Sequence, residues 1–259
     1  VIRVVVGGAT GKLGRMVCEL VAEQSDMELT GGVVSAGSES VGRKLVSGAE
    51  IVGADRLAEA VKDADVYVDL TAPAAAEANL PAVQREGLNV IVGTTNLSKE
   101  AIASLEEAVS ASGTAAVVAP NFSVGVNVFF KACRDLAKAL PGYDVEIVEV
   151  HHNLKKDAPS GTARRAAEII SEAMDIDKLV CGREGLVGAR GKEIGIHSVR
   201  AGDVVGEHTV IFAGRKERLE LTHRAHSREA FAEGCVVAIR WVAGKRDGRI
   251  HSMEEVLGL

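Results

Sequence analysis

Thirteen residues, HHNLKKDAPSGTA at 151–163, gather two histidines, two lysines, an aspartate and a Ser-Gly-Thr run. Histidine and lysine exchange protons near neutrality when their surroundings tune them. Ser160, Gly161 and Thr162 stand ahead of Ala163, Ala166, Ala167, Ile170 and Met174, which recur at helical spacing. That arrangement predicts a helix N-terminus, where free N–H groups and partial positive charge hold an anion. Taken one at a time, each residue would pass for ordinary surface. Together they suit protonation of a substrate that carries more than one carboxylate.

A metal centre is not expected among these groups. His151 and His152 are adjacent on a strand-like segment and point to opposite faces. His223 and His226 are three apart in a region that also reads as strand, which is the wrong spacing for a shared metal. His197, His208 and His251 are scattered and read as structural or surface residues. The four cysteines, Cys18, Cys133, Cys181 and Cys235, show no metal or redox spacing and read as buried thiols of a reducing cytosol.

A second constellation lies at the other end of the chain. GGATGKLG at 7–14 places Gly8, Gly11 and Gly14 three residues apart, between a strand-like IRVVV and a helical stretch. In a dinucleotide-binding turn the first glycine permits the bend, the second admits a pyrophosphate and the third lets helix and strand pack closely. A hydride carrier would explain the proton-active motif, because reducing a C=C or C=N bond takes a proton as well as a hydride. The acid that often ends the second strand and binds the ribose is missing; Ser35 and Ala36 stand there, so NADPH as well as NADH is admissible. Arg43 or Lys44 could meet an adenosine phosphate, or be solvated loop charge.

The elements that must position these groups alternate. Strands at 2–6, up to Val34, 66–70, 90–95 and 115–120 are separated by helical stretches behind the glycine turn, at 57–62, at 74–86 and from an N-cap at Ser98 to Ser110. This rhythm predicts a doubly wound parallel sheet. It changes near Asn121: a helix over 123–140 ends at Pro141-Gly142, and DVEIVEVHH reads as strand. Several strands follow over 192–222, with GEHTVIFAG and ERLELTHRA paired antiparallel across Gly214-Arg215-Lys216. The final stretch, 227–243, puts Ala230, Phe231, Gly234, Val237, Ala238 and Trp241 on one helical stripe. The fold class is α/β with a second, mixed α+β domain.

Composition limits the partners. Of 259 residues 47% are hydrophobic but only 3% aromatic, so the core must be built from Ala, Val, Ile and Leu. A formal charge of −6 argues against general nucleic-acid binding. The most apolar long window, 114–130, is interrupted by Pro120, Asn121, Ser123 and Asn127 and is no membrane span. A soluble, cytoplasmic chain without a secretory signal is expected.

The motifs resemble those of the 4-hydroxy-tetrahydrodipicolinate (dihydrodipicolinate) reductase family along essentially the whole chain. The resemblance is carried by GGATGKLGRM at 7–16, VGTTNLS at 92–98, APNFSVGVN at 119–127, EVHHNLKKDAPSGTA at 149–163, RAGDVVGEHTVIFAG at 200–214 and ERLELTHRAHSR at 217–228. It implies a Rossmann-type domain, residues 1–122 plus 229–259, with an inserted mixed-sheet domain at 123–228 for substrate binding and homotetramer formation. The implied activity is NAD(P)H-dependent reduction of 4-hydroxy-tetrahydrodipicolinate to tetrahydrodipicolinate and water in the diaminopimelate route to lysine. His151 is implied as proton donor or acceptor and Lys155 as second proton donor. His152, Gly161 and Thr162 are implied to bind the dicarboxylate substrate. Gly8, Ala9, Thr10, Gly11, Lys12 and Leu13 are implied to bind the cofactor pyrophosphate, with Ser35 at the ribose. Gly93, Thr94 and Thr95 would lie on the nicotinamide side, and Ala119, Pro120, Asn121 and Phe122 along the rest of the cofactor. Two departures from the family pattern are Ser35-Ala36 and Ala72, where many members carry charged residues.

Two other readings fit parts of the pattern. One is a different amino-acid-pathway dehydrogenase on a related plan, against which HHNLKKDAPSGTA argues. The other is a redox sensor that binds dinucleotide without turnover; it has no use for His151 and Lys155 together.

Overall fold

A computed structural model describes residues 1–259, and the chain divides into two compact units. The first comprises Val1–Ser123 with Glu229–Leu259, and the second Val124–Arg228.

In the first unit, runs such as IRVVV are apolar on both faces, which suits strands covered on each side by helices. Strands β1 (Ile2–Gly7), β2 (Met27–Val34), β3 (Ile51–Gly53), β4 (Val66–Asp69), β5 (Asn89–Val92) and β6 (Ala116–Val118) are joined by helices α1 (Lys12–Glu23), α2 (Leu57–Val61), α3 (Pro73–Arg85) and α4 (Lys99–Ser112). After the second unit, helix α7 (Glu229–Ala243), strand β12 (Ile250–His251) and helix α8 (Met253–Leu257) return to this sheet. All seven strands run parallel, in the order β12-β6-β5-β4-β1-β2-β3. The order reverses between β1 and β4, and the ends of β1, β4, β5 and β6 carry the ligand-facing loops of such a sheet.

The expected stripe on the last long helix is offset. α7 buries Ala232, Cys235, Val236, Ala238, Ile239 and Val242, whereas Val237 is exposed. The helix shares a core with Val17, Cys18 and Val21 of α1, so a broader face is covered than a single stripe supplies. Asn89 secures its end. The buried amide donates to the carbonyls of Val242, Ala243 and Lys245 and accepts from Ala115 N–H. Cys181 corrects the expectation of buried thiols: it is exposed, while Cys18, Cys133 and Cys235 are buried and burial pushes their thiols up to about 12.

The second unit contains helices α5 (Val124–Ala139) and α6 (Gly161–Met174) with strands β7 (Asp144–His151), β8 (Leu179–Cys181), β9 (Ile194–Arg200), β10 (Gly206–Ala213) and β11 (Arg218–Ala225). Their order is β11-β10-β7-β9-β8, antiparallel on the β10 side and parallel on the β9 side. Alternation decides the faces. Val145, Ile147, Ile194, Ile196, Val210 and Phe212 share one core with Phe129, Phe130, Cys133, Ala166, Ala167 and Ile170 of the two helices. Burying each large side chain contributes roughly 1.5–3 kcal/mol. The opposite sheet face carries Val148, Val150 and Ile211, which stay half-buried, and Val199, which is exposed. No helix of the chain is long and apolar enough to cross a membrane.

Candidate active site

The glycine turn of the first unit follows from backbone geometry. Gly8 has φ +76°, and a Cβ there would stand 2.4 Å from Leu70 O. A Cβ on Gly14 would stand 2.1 Å from Gly8 O, so only glycine lets α1 approach the turn this closely. At Gly11 an added Cβ meets nothing nearer than Gly8 O at 3.1 Å, which leaves the approach to the helix end open. No side chain caps α1, so its first N–H groups are available to an anion. These features fit a bound pyrophosphate.

At the neighbouring strand ends Asp69 acts as an organiser. Its fully buried carboxylate accepts from Thr71 N–H, Thr71 Oγ1, Tyr67 OH and, at 2.5 Å, Thr94 Oγ1. The Thr94 hydroxyl is thereby committed to the protein, whereas Thr95 is exposed. Ala119 and Phe122 are buried; Phe122 lies 2.9 Å from where a Gly93 Cβ would stand, so both offer only backbone groups to a ligand. Pro120 and Ser35 are exposed, and Asn121 Oδ1 accepts from Ser123 N–H. Of the basic pair after β2, Lys44 lies 3.8 Å from Glu50, while Arg43 is exposed and makes no ion pair.

In the second unit the motif straddles the end of β7 and the start of α6. Ser160 caps α6, its hydroxyl accepting from Ala163 N–H. Gly161 is exposed and Thr162 half-buried at the first turn. Lys155 Nζ donates to Asp157 Oδ1 at 2.9 Å, and Arg228 donates to His152 Nε2 at 3.3 Å. His151 is almost wholly buried, with Nδ1 2.5 Å from Glu149 Oε2. His151, His152, Lys155, Gly161 and Thr162 thus belong to one strand end, one loop and one helix start.

Three further residues belong to this cluster and were not legible in the motif. Glu149, fully buried, receives both terminal nitrogens of Arg200 at 2.9 Å and Ser160 N–H at 3.0 Å. Burial pushes its carboxyl up, but hydrogen bonds from Arg200, Ser198, His151 and Ser160 outweigh that and bring it to about 2. His208, expected as a structural or surface residue, is buried 3.0 Å from Ser160 Oγ, its ring centroid 5.2 Å from that of His151. Burial, with the nearby His151, lowers it to about 3, so it is neutral at pH 7. Strand alternation around GEHTV, which points His208 to the same face as Val210 and Phe212, was the available signal. His151 itself is lowered, by burial first and against the pull of Glu149.

A parallel sheet in dinucleotide-binding order, an anion-ready glycine turn and an acid–base cluster define an oxidoreductase of the Rossmann class. Family models described as "Dihydrodipicolinate reductase, N-terminus" and "Dihydrodipicolinate reductase, C-terminus" match residues 2–122 and 125–257. The chain belongs to the dihydrodipicolinate reductase family. It is 49% identical to the 4-hydroxy-tetrahydrodipicolinate reductase of Methanosarcina barkeri, covering 100% of both chains. It is 46% identical to that of Methanothermobacter thermautotrophicus, covering 100% of this chain and 99% of the relative. Among solved structures, dipicolinate-bound dihydrodipicolinate reductase from Paenisporosarcina sp. TG-14 superposes with a TM-score of 0.82 at 27% identity, over 98% of each chain.

Proposed function

We propose that the protein reduces 4-hydroxy-tetrahydrodipicolinate to tetrahydrodipicolinate and water with a nicotinamide dinucleotide, in lysine biosynthesis by the diaminopimelate route. One observation carries this reading: a chain of this reductase family keeps both the pyrophosphate-ready turn and the imidazole–lysine cluster beside an anion-binding helix start. The bound dinucleotide supplies a hydride. Gly8 to Leu13 hold its pyrophosphate on the uncapped N–H groups of α1, and Ser35 faces the ribose. Backbone groups of Gly93, Thr94, Ala119 and Phe122, with Thr95, Pro120 and Asn121, hold the nicotinamide side.

Gly161 and Thr162 hold one substrate carboxylate at the start of α6, and His152 contacts the substrate. Lys155 delivers a proton to the carbon next to the hydride acceptor, and His151 accepts or donates a second. Overall one hydride and one proton enter, a C–OH bond is replaced by C–H, and water leaves. The cationic surroundings lower the cost of holding a dicarboxylate.

Ser35 in place of an acid, and Arg43 without an ion pair, support the use of NADPH as well as NADH. The half-buried apolar row Val148, Val150 and Ile211 on an uncovered sheet face supports assembly through that face, as a homotetramer. Three buried thiols support a reducing, cytoplasmic setting.

The test follows NADH and NADPH oxidation, with substrate formed in place from pyruvate and aspartate semialdehyde. Wild type should turn over, and Lys155→Ala and His151→Ala should each lose about 10²–10⁴-fold in kcat while still binding cofactor. Tight cofactor binding with no turnover on this substrate would overturn the reading.

A further inference from the structure

We propose that Glu149 is a positioning residue of this reaction: it fixes His151 as the Nδ1–H tautomer, leaves Nε2 as the reactive nitrogen, and fastens the imidazole to the first turn of α6 through Ser160. The inference rests on the reductase reading and adds to it a residue that touches neither substrate nor cofactor.

The hydrogen-bond inventory forces the assignment. Glu149 Oε1 accepts from Arg200 Nη2 and Ser160 N–H, and Oε2 accepts from Arg200 Nη1 while facing His151 Nδ1. Both oxygens face the guanidinium fork of Arg200, with Ser160 N–H and Ser198 hydrogen-bonding the same carboxylate, so the group is ionised and can only accept. His151 Nδ1 must therefore carry the hydrogen. No protein group hydrogen-bonds Nε2, which leaves it to accept or deliver a proton.

A buried ion pair between Glu149 and Arg200 would by itself be a structural feature. Gly206 separates the two roles. Its backbone has no positive φ to require glycine, yet a Cβ there would stand 3.0 Å from His151 Nε2 and 3.3 Å from Cδ2. The residue is small where the free nitrogen needs room.

The surroundings also keep His151 from being locked as a cation. Facing it are Glu149 on β7, Arg200 on β9, His208 on β10, and Lys155 in the following loop, itself paired with Asp157; behind His208 lie Phe129 of α5 and Ser160 at the start of α6, which do not titrate. Arg200 balances the charge of Glu149, so the imidazole has no unshared anion beside it. The same carboxylate holds Ser160 N–H, so the proton-transfer group and the carboxylate-binding helix start share one anchor.

The experiment combines histidine ¹⁵N NMR of the full chain with kcat and KM as functions of pH, and calorimetry with NADPH and with dipicolinate. Wild type, Glu149→Gln, Glu149→Asp and Gly206→Ala are compared. Wild type should show His151 protonated at Nδ1 when neutral. Glu149→Gln should lose that tautomer, lower kcat by about 10²–10⁴-fold and shift the pH profile, with NADPH affinity within about twofold. Glu149→Asp should recover at least tenfold of the loss, at about 1.4 kcal/mol per tenfold. Gly206→Ala should keep the tautomer and lower kcat. An active wild type with His151 protonated at Nε2, or a folded Glu149→Gln with unchanged kcat and pH profile, would overturn the positioning role alone. A wild type that does not turn over would overturn the reductase reading instead. If the glutamine variant does not fold, the wild-type tautomer and the two other variants decide.

Discussion

His208 ties the chemistry of single residues to the stability of the whole chain. It takes a proton only near pH 3 when folded, whereas an unfolded histidine does so near its ordinary value of 6.5. As pH falls through that window the unfolded chain binds more protons, and the folded state loses stability. His223, also lowered by burial, acts in the same direction. Glu149 follows at lower pH: the stability it contributes above 4.5 is lost as pH falls toward its folded value of about 2. The urea midpoint should therefore drop steadily from pH 6.5 to 3, and His208→Gln should flatten the upper part of that decline. A midpoint independent of pH would contradict the burial of these rings. At Gly8 the prediction is steric. Gly8→Ala forces a Cβ against Leu70 O at positive φ, which should cost about 1–3 kcal/mol of stability and at least tenfold in dinucleotide affinity, measured by melting and calorimetry. The glycines and the His–Lys motif were legible because their neighbours in sequence are their neighbours in space. Glu149, Arg200 and His208 were not, because strand register alone sets His208 opposite Glu149 and Arg200 opposite His151.

Elements explain what holds those residues still. The start of α6 depends on Ser160, whose hydroxyl caps the helix and meets His208. Ser160→Ala should cost about 1–2 kcal/mol and raise the KM for substrate more than the KM for cofactor. A uniform effect on both would place the damage in folding rather than in the carboxylate site. Asn89 does comparable work for α7, donating to three carbonyls at its end. Asn89→Ala strips these carbonyls of their side-chain donor and the buried Ala115 N–H of its acceptor, and should lower unfolding free energy by about 1–3 kcal/mol in urea titrations. Long elements were readable from their periodicity: Ser98 does cap α4, and β10 and β11 do pair antiparallel. The strands β3, β8 and β12 span only two or three residues, too few for any alternation to register. The offset stripe on α7 has another origin: two layers, α1 and the sheet, cover the helix, so its buried arc is wider than helical spacing alone suggests.

At the scale of the molecule, the alternation of strands and helices specified a parallel sheet, and the change of rhythm after Asn121 specified a second, mixed one. Nothing in the strand pattern alone says what covers the outer face of that second sheet. If it is an interface between copies, light scattering should give a mass four times the 27.1 kDa of one chain. Ile211→Arg, which places a charge in the half-buried row, should reduce that mass without altering the melting of the first unit's core. A monomeric wild type would remove the assembly proposal and leave the chemistry untouched. The chemistry itself is tested most directly by isotope transfer. Substrate formed in place would be reduced with NADPH or NADH deuterated at both C4 positions, and the tetrahydrodipicolinate examined by mass spectrometry and NMR. The account predicts one carbon-bound deuterium, a product about one mass unit heavier, from either cofactor that turns over. Unlabelled product, or oxidised cofactor with no deuterium in the ring, would contradict hydride delivery to this substrate.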